Sequence, residues 1–191
     1  MRKKSLTVLM FGSLVCVGAF SQNIQLPNTL GIGLSLGGMG GGDWAYSLDL
    51  TGPYLHLWGN GYLALRLAGD LMAKEGILVG STTDTLTWPA YFGTRLGIVL
   101  ARVPNNYLRL YAEGGANSIF LTSNIASSLN PSIGLYVHVG SEFFVDESRH
   151  TALFLEVGDG GTFGNPSADK LEGSPVVGNG FSVMAGFRGY F

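Results

Sequence analysis

The sequence predicts an all-β chain folded as an eight-stranded antiparallel up-and-down β-barrel. Three observations predict it. Hydrophobicity alternates with a period of two over most of residues 29–191, no stretch with period 3.6 competes, and the connections alternate between short and long. Strict alternation of this kind produces strands with one apolar face.

The elements follow in order. Residues 29–37 place Leu30, Ile32, Leu34 and Leu36 on one face and Gly31, Gly33 and Ser35 on the other. The second strand is less regular. Tyr46, Leu48 and Leu50 share one parity, Leu55 and Leu57 the other, and Gly52-Pro53 lies between them. A one-residue bulge there returns both sets to one face and keeps the count at eight, whereas two separate short strands would make nine. In residues 62–71 Leu63, Leu65, Leu67 and Leu71 oppose Ala64, Arg66, Ala68 and Asp70. In residues 92–100 Leu96, Ile98 and Leu100 oppose Gly93, Arg95 and Gly97. Residues 107–116 set Leu108, Leu110 and Ala112 against Arg109, Tyr111, Glu113 and Gly115. Residues 133–143 set Leu135, Val137 and Val139 against Tyr136, His138, Gly140 and Glu142. In residues 151–158 Leu153, Leu155 and Val157 oppose Phe154 and Glu156, and in residues 181–191 Phe181, Val183, Ala185, Phe187 and Phe191 oppose Ser182, Gly186, Arg188 and Tyr190.

The connections at 59–61, 101–106 and 145–150 are short, and Asn60-Gly61 is a strong hairpin signal. Those at 74–91, 117–132 and 159–180 are long and rich in Gly, Ser, Thr and Asn, and residues 38–43 are mostly glycine. Short turns at one end and long loops at the other are the habit of membrane barrels, with the turns in the periplasm. The loops near Ser81, Ser123 and Pro166 are then expected outside the cell.

The first residues read as a leader. Arg2, Lys3 and Lys4 precede an uncharged, mostly apolar run from Leu6 to Phe20, and Ala19-Phe20-Ser21 puts small residues at −3 and −1 of a cut before Gln22. The expected division is a signal peptide over 1–21 and one barrel domain over 22–191. Cys16 follows Val15, which is too large for the usual lipobox. Cleavage would remove the single cysteine, so no disulfide holds the fold. It would also remove three of the eleven Lys and Arg and none of the thirteen Asp and Glu, leaving a formal charge of −5, which argues against nucleic acid as a partner. Charged residues make up 13% of the chain, against about 25% in soluble domains. No segment after the leader has the uninterrupted apolar length of a membrane helix.

Alternation does not say which face points inward. A secreted, lipocalin-like barrel would bury the leucines and expose the arginines, and a transmembrane barrel does the reverse. Three features favour the membrane. The polar face is sparse in charge, lacks lysine in the regular strands and is rich in Gly, Ala and Ser, as suits the tight interior of eight strands. Several runs reach nine to eleven residues, the length of tilted membrane strands. Aromatics gather near strand ends like interfacial girdles: Trp44, Trp58, Tyr62, Trp88, Tyr91, Phe92, Phe143, Phe181, Tyr190 and Phe191.

The segment Gly186-Phe187-Arg188-Gly189-Tyr190-Phe191 ends on an aromatic in phase with Phe187, Ala185 and Val183. It resembles the C-terminal strand of bacterial outer-membrane barrels, and Gly189 departs from that pattern, which usually has a larger apolar residue there. The resemblance implies that Gly186, Phe187 and Phe191 serve as an assembly signal read by the barrel-assembly machinery. In size, strand count and loop asymmetry the chain resembles the OmpA/OmpX/OmpW-like class of small barrels. The likeness is architectural and implies an outer-membrane location with lipid as a partner.

With the leucines outward, the lumen is expected to receive Arg66, Asp70, Arg95, Arg109, Glu113, His138, Glu142, Glu156 and Arg188 as a charge network, paired across strands as a plug. A narrow ion path is the alternative use of the same residues. Catalysis is not expected. His56 and His150 lie at turns, His138 is separated from Glu142 by four residues along one strand, and none has a serine and acid in a hydrolase pattern. No metal-ligand spacing, calcium loop or phosphate loop occurs, so no metal or cofactor is expected. The resulting expectation is a non-enzymatic outer-membrane barrel with a structural role or a surface role through an extracellular ligand. The alternatives are a narrow passive channel for small solutes or a secreted soluble barrel.

Overall fold

The structure is a computed structural model and describes residues 29–80, 85–164 and 166–191. The expected leader, 1–21, and Ser81 lie outside the described residues. Eight long strands build the molecule: β1 (Gly31–Met39), β2 (Asp43–Thr51), β3 (Gly61–Lys74), β4 (Ala90–Asn105), β5 (Leu108–Phe120), β6 (Ser132–Phe144), β7 (Thr151–Thr162) and β8 (Gly180–Tyr190). Each pairs antiparallel with its neighbour in the chain, and β1 pairs with β8, so the sheet closes on itself. Closure leaves no free sheet edge, which is what lets a strand structure sit in hydrocarbon with every backbone group paired.

The barrel is inside out. Leu65 is 58% exposed and Leu135 59%, whereas Arg188 and Glu142 are 0% exposed and Arg109 is 1%. A water-soluble barrel would place these groups the other way round. Among the described outward-facing residues of these eight strands only two carry charge, and they stand near opposite ends. Arg102 lies opposite Gly61 at the turn end, and Asp159 opposite Phe181 at the loop end. Between them the exterior is built from apolar and small residues, with exposed Trp44, Phe92, Phe120 and Phe181 towards the loops and Trp58, Tyr107, Phe143 and Phe191 towards the turns. Such a belt belongs in lipid.

Glycine makes room for the filled interior. A Cβ at Gly33 would collide with the Asp49 carboxylate, one at Gly97 with the Tyr136 hydroxyl, one at Gly140 with the Tyr111 ring and one at Gly158 with the His138 ring. Large polar side chains therefore cross an eight-stranded lumen by lying over strand positions that carry no side chain.

The second strand shows the kink that its parity change suggests. Leu50 pairs with Leu67 but Leu55 pairs with Leu63, a shift of one residue. The Gly52 amide donates to Leu65 O at 2.7 Å, Tyr54 turns inward, and the short Leu55–His56 segment continues along β3. A second irregularity, between Arg102 and Asn105, ends β4 before the tight turn at 106–107.

Several strands run further than alternation suggests. β3 reaches Lys74, β4 spans Ala90–Asn105, β5 reaches Phe120 and β7 reaches Thr162, so the connections at 101–106, 117–132 and 159–180 are partly strand. The reason is chemical. In these extensions the outward positions hold Ser118, Asp159 and Gly161, which carry no hydrophobic signal although the backbone still pairs. The expectation that strands lack lysine is overturned at Lys74, the buried last residue of β3.

The described ends of the chain and the connections at 57–60, 106–107 and 145–150 share one end of the barrel. The described parts of the remaining connections, 40–42, 75–80, 85–89, 121–131, 163–164 and 166–179, share the other. In the 145–150 turn Asp146 accepts hydrogen bonds from the Ser148 hydroxyl and the Thr151 and His150 amides. These hold its carboxyl below the usual carboxylate range, the Ser148 bond most of all.

Candidate functional site

Among the described strand residues, five cations meet six carboxylates inside the barrel: Arg66, Lys74, Arg95, Arg109 and Arg188 against Asp43, Asp49, Asp70, Glu113, Glu142 and Glu156. They fall into layers along the barrel axis.

The central layer joins strands from around the whole barrel. Arg66 Nη1 donates to Glu113 at 2.6 Å and to Glu156 at 2.7 Å, while its Nε donates to the Thr51 hydroxyl. Arg188 makes a two-pronged contact with Asp49, both bonds 2.9 Å, and also contacts Glu142. Glu142 is in turn bonded by Arg109 Nε at 2.6 Å and by the Tyr190 hydroxyl at 3.0 Å. The Tyr111 hydroxyl donates to Glu156 at 2.6 Å, and that of Tyr136 to Glu113. The planar forks of arginine suit this work, because each reaches more than one oxygen with fixed geometry.

Towards the turns the guanidinium of Arg109 lies over aromatic rings, 4.3 Å from that of Tyr54 and 4.6 Å from that of Tyr190. Tyr54, Tyr62, Val103, Phe144 and Tyr190 close this end as one buried cluster. Their rings supply a negative face to a cation that has a single carboxylate partner. Tyr62 and Tyr190, like Tyr91 at the loop end, therefore belong to the interior and not to the exterior girdle expected of them, because their strand parity points inward.

Towards the loops Arg95 makes a two-pronged contact with Asp70, both bonds 2.9 Å, and donates to Ser47 and to His138 Nδ1 at 3.1 Å. Here the structure brings together groups that the sequence keeps apart. His138 does have a serine and an acid beside it: Ser182 Oγ lies 3.3 Å from Nε2, and Glu156 lies 3.8 Å from Nδ1. Chain neighbours could not reveal this, because β6 and β8 are joined only through β7, where Gly158 pairs with both His138 and Ser182 and leaves the space between them open. The arrangement is nonetheless wrong for nucleophilic catalysis. Arg95 donates to Nδ1, so that nitrogen carries no proton and the neutral ring donates from Nε2 to the serine. A general base needs the opposite tautomer, with Nδ1–H held by the carboxylate and Nε2 free to accept. His56 bonds Gly59 O and His150 lies in the turn, so neither joins this group. No cluster of three or more metal-ligating side chains occurs among the described residues.

The loop end of the lumen is covered. Ile125, Ala126, Ala168, Leu171 and Val177 from the long loops pack on Met72, Tyr91, Ile119 and Met184 of the barrel. The cap has its own backbone order. Gly76–Ile77 pairs with Leu86–Thr87, the Glu172 amide donates to Ile77 O and that of Val79 to Lys170 O, and Lys170 N–H reaches Ile125 O. Asp43 fastens it to the rim, accepting from the Tyr91 hydroxyl at 2.6 Å and the Gly178 amide at 3.1 Å, with Lys74 Nζ at 3.0 Å. Gly178 has φ +68°, a conformation that leaves its amide free to point at the carboxylate. Asp43→Ala is expected to free the cap but keep the barrel. Loss of hydrogen bonds to a buried charged group, about 1.5–3 kcal/mol, should speed proteolysis within 163–179 by about tenfold or more. Unchanged cleavage in the folded protein would show that Asp43 does not hold the cap.

Parity alone places Asp49, Ser47 and Thr51 beside the network, but the kink after Thr51 breaks the alternation that would mark them. Asp43 and Lys74 carried no such signal, because the turn and loop that flank them hide their strand membership.

No protein-family model matches the sequence, and no curated protein matches it. Solved structures do. The N-terminal β-barrel domain of Pseudomonas aeruginosa OprF aligns with TM-score 0.50 at 12% identity, covering 86% of this chain and 98% of that one. The Yersinia pestis outer membrane protein Ail, studied in a phospholipid bilayer nanodisc, aligns with TM-score 0.49 at 11% identity over 86% and 99% of the two chains. The outer membrane enzyme PagL aligns with TM-score 0.46 at 9% identity over 83% and 97%. Likeness at this level of identity concerns the fold.

Proposed function

This chain has the fold of the small eight-stranded outer-membrane barrels, and from that premise we propose that it is a non-enzymatic outer-membrane protein, a closed scaffold that presents its cap to the outside. The observation that carries this reading is the filled lumen. Buried ion pairs cross it at mid-height, an aromatic cluster closes the turn end and the cap covers the loop end. A channel needs a continuous wet path, and a lumen whose arginines are held by carboxylates and rings does not offer one. The histidine tautomer set by Arg95 argues in the same direction against hydrolysis.

Residues 163–179 and the two other long connections carry the surface role. Their charged residues among those described are Glu75, Asp169, Lys170 and Glu172, and Lys170 Nζ is engaged with Ser123 O. An acidic, partly apolar cap suits a neutral or cationic extracellular ligand better than a polyanion. The other partners are lipid around the exterior belt and an assembly machinery that reads Gly186, Phe187 and Phe191 on and just after β8.

Purified protein in a planar bilayer tests the reading. The expected record is a quiet membrane with no stable conductance steps. Reproducible steps in wild type, abolished by charge substitutions at Arg66 or Arg95, would establish the narrow channel instead.

A further inference from the structure

The lipid-facing wall is not uniformly convex. Where β8, β1, β2 and β3 run side by side, the registers align two outward rows. One reads Phe187, Leu34, Leu48, Gly69 and the other Ala185, Leu36, Tyr46, Leu71. These rows line a shallow, open depression of about 510 Å³ at mid-barrel, across the seam where first and last strands meet. Its small members, Ala185 and Gly69, stand at opposite corners, and a Cβ at Gly69 would meet nothing within 4 Å. Every outward side chain in the two rows is uncharged, and the recess spans three strand spacings, about 14 Å.

The geometry points to an acyl chain of a bilayer lipid as the occupant, held in this recess longer than on the rest of the wall. In hydrocarbon, apolar groups have no water to escape, so affinity comes from van der Waals packing. A concave wall offers a chain more contacts than a convex one. A second copy of the protein fits less well. A two-fold contact presents the same patch on both subunits, so the recess would face a recess and leave a void between them. The walls also lack charged side chains that could orient a protein partner across the seam.

Filling the recess tests the inference. Gly69→Leu combined with Ala185→Leu puts side chains into open space on an outward face, so the barrel should still form, as gel mobility without boiling would show. Wild type and variant are reconstituted in vesicles of phosphatidylethanolamine and phosphatidylglycerol, released into mild detergent and weighed intact by native mass spectrometry. The expected result is one retained phospholipid per wild-type barrel, reduced about tenfold or more in the double variant. It should be kept in Ala112→Leu, which fills a small outward position elsewhere. Absence of a retained lipid in wild type, equal retention in the double variant, or a dimer that the double variant dissociates would each overturn the assignment.

Discussion

Glu142→Ala is expected to lower the stability of the barrel by about 3–5 kcal/mol, the cost of stranding buried charge when one partner is removed. The size follows from position. Glu142 is 0% exposed and binds Arg109, Arg188 and the Tyr190 hydroxyl at once. Arg188 would keep Asp49, but Arg109 would keep only aromatic faces. Urea unfolding in lipid vesicles, followed by tryptophan fluorescence, measures it. Glu172→Ala, on the exposed cap, is the comparison and should stay within about 0.5 kcal/mol. If Glu142→Ala also stays within that range, the interior is hydrated and the plug reading fails.

Leu96→Arg addresses the other face. Leu96 sits near the middle of β4, pairs with Leu67 and is 57% exposed. In a bilayer the substitution should cost about 2–4 kcal/mol, the depth-dependent cost of a cation at mid-membrane. In water an exposed leucine replaced by arginine would cost almost nothing, so this one change separates membrane from soluble barrel. The exposure of Leu96 is what gives the substitution this power, because a soluble barrel with its leucines inside would suffer from it too. Equal stability of Leu96→Arg and wild type in vesicles would remove the lipid from around the strand.

The fold was legible because the membrane imposes a strict rule. Each strand must show lipid one face, so Leu63, Leu65 and Leu67 announce their strand without help from neighbours. Even the kink at Gly52-Pro53 was visible, since a parity change has few other causes. What escaped was set by groups that do not repeat. Asp159 and Gly161 prolong β7 through backbone pairing alone, and nothing in their side chains marks the extension. The approach of Ser182 to His138 depends on two strands separated around the barrel wall, which no local pattern encodes. The cap is a further case. Leu171 and Val177 read as loop residues, and only the burial of both under neighbouring loops reveals a second small core.

The contacts of Arg188 bear on how the molecule comes to exist. The carboxylates it hydrogen-bonds lie on β2 and β6, 139 and 46 residues away in sequence, and it sits itself on the final strand. Until that strand docks, Asp49 and Glu142 lack one of their cations. A half-made sheet therefore carries one greasy face and one face of incompletely matched charge, and neither water nor hydrocarbon welcomes both. The chain has no comfortable resting point partway into a bilayer. Docking of β8 is therefore the step that completes both the closed wall and the matching of charge inside it.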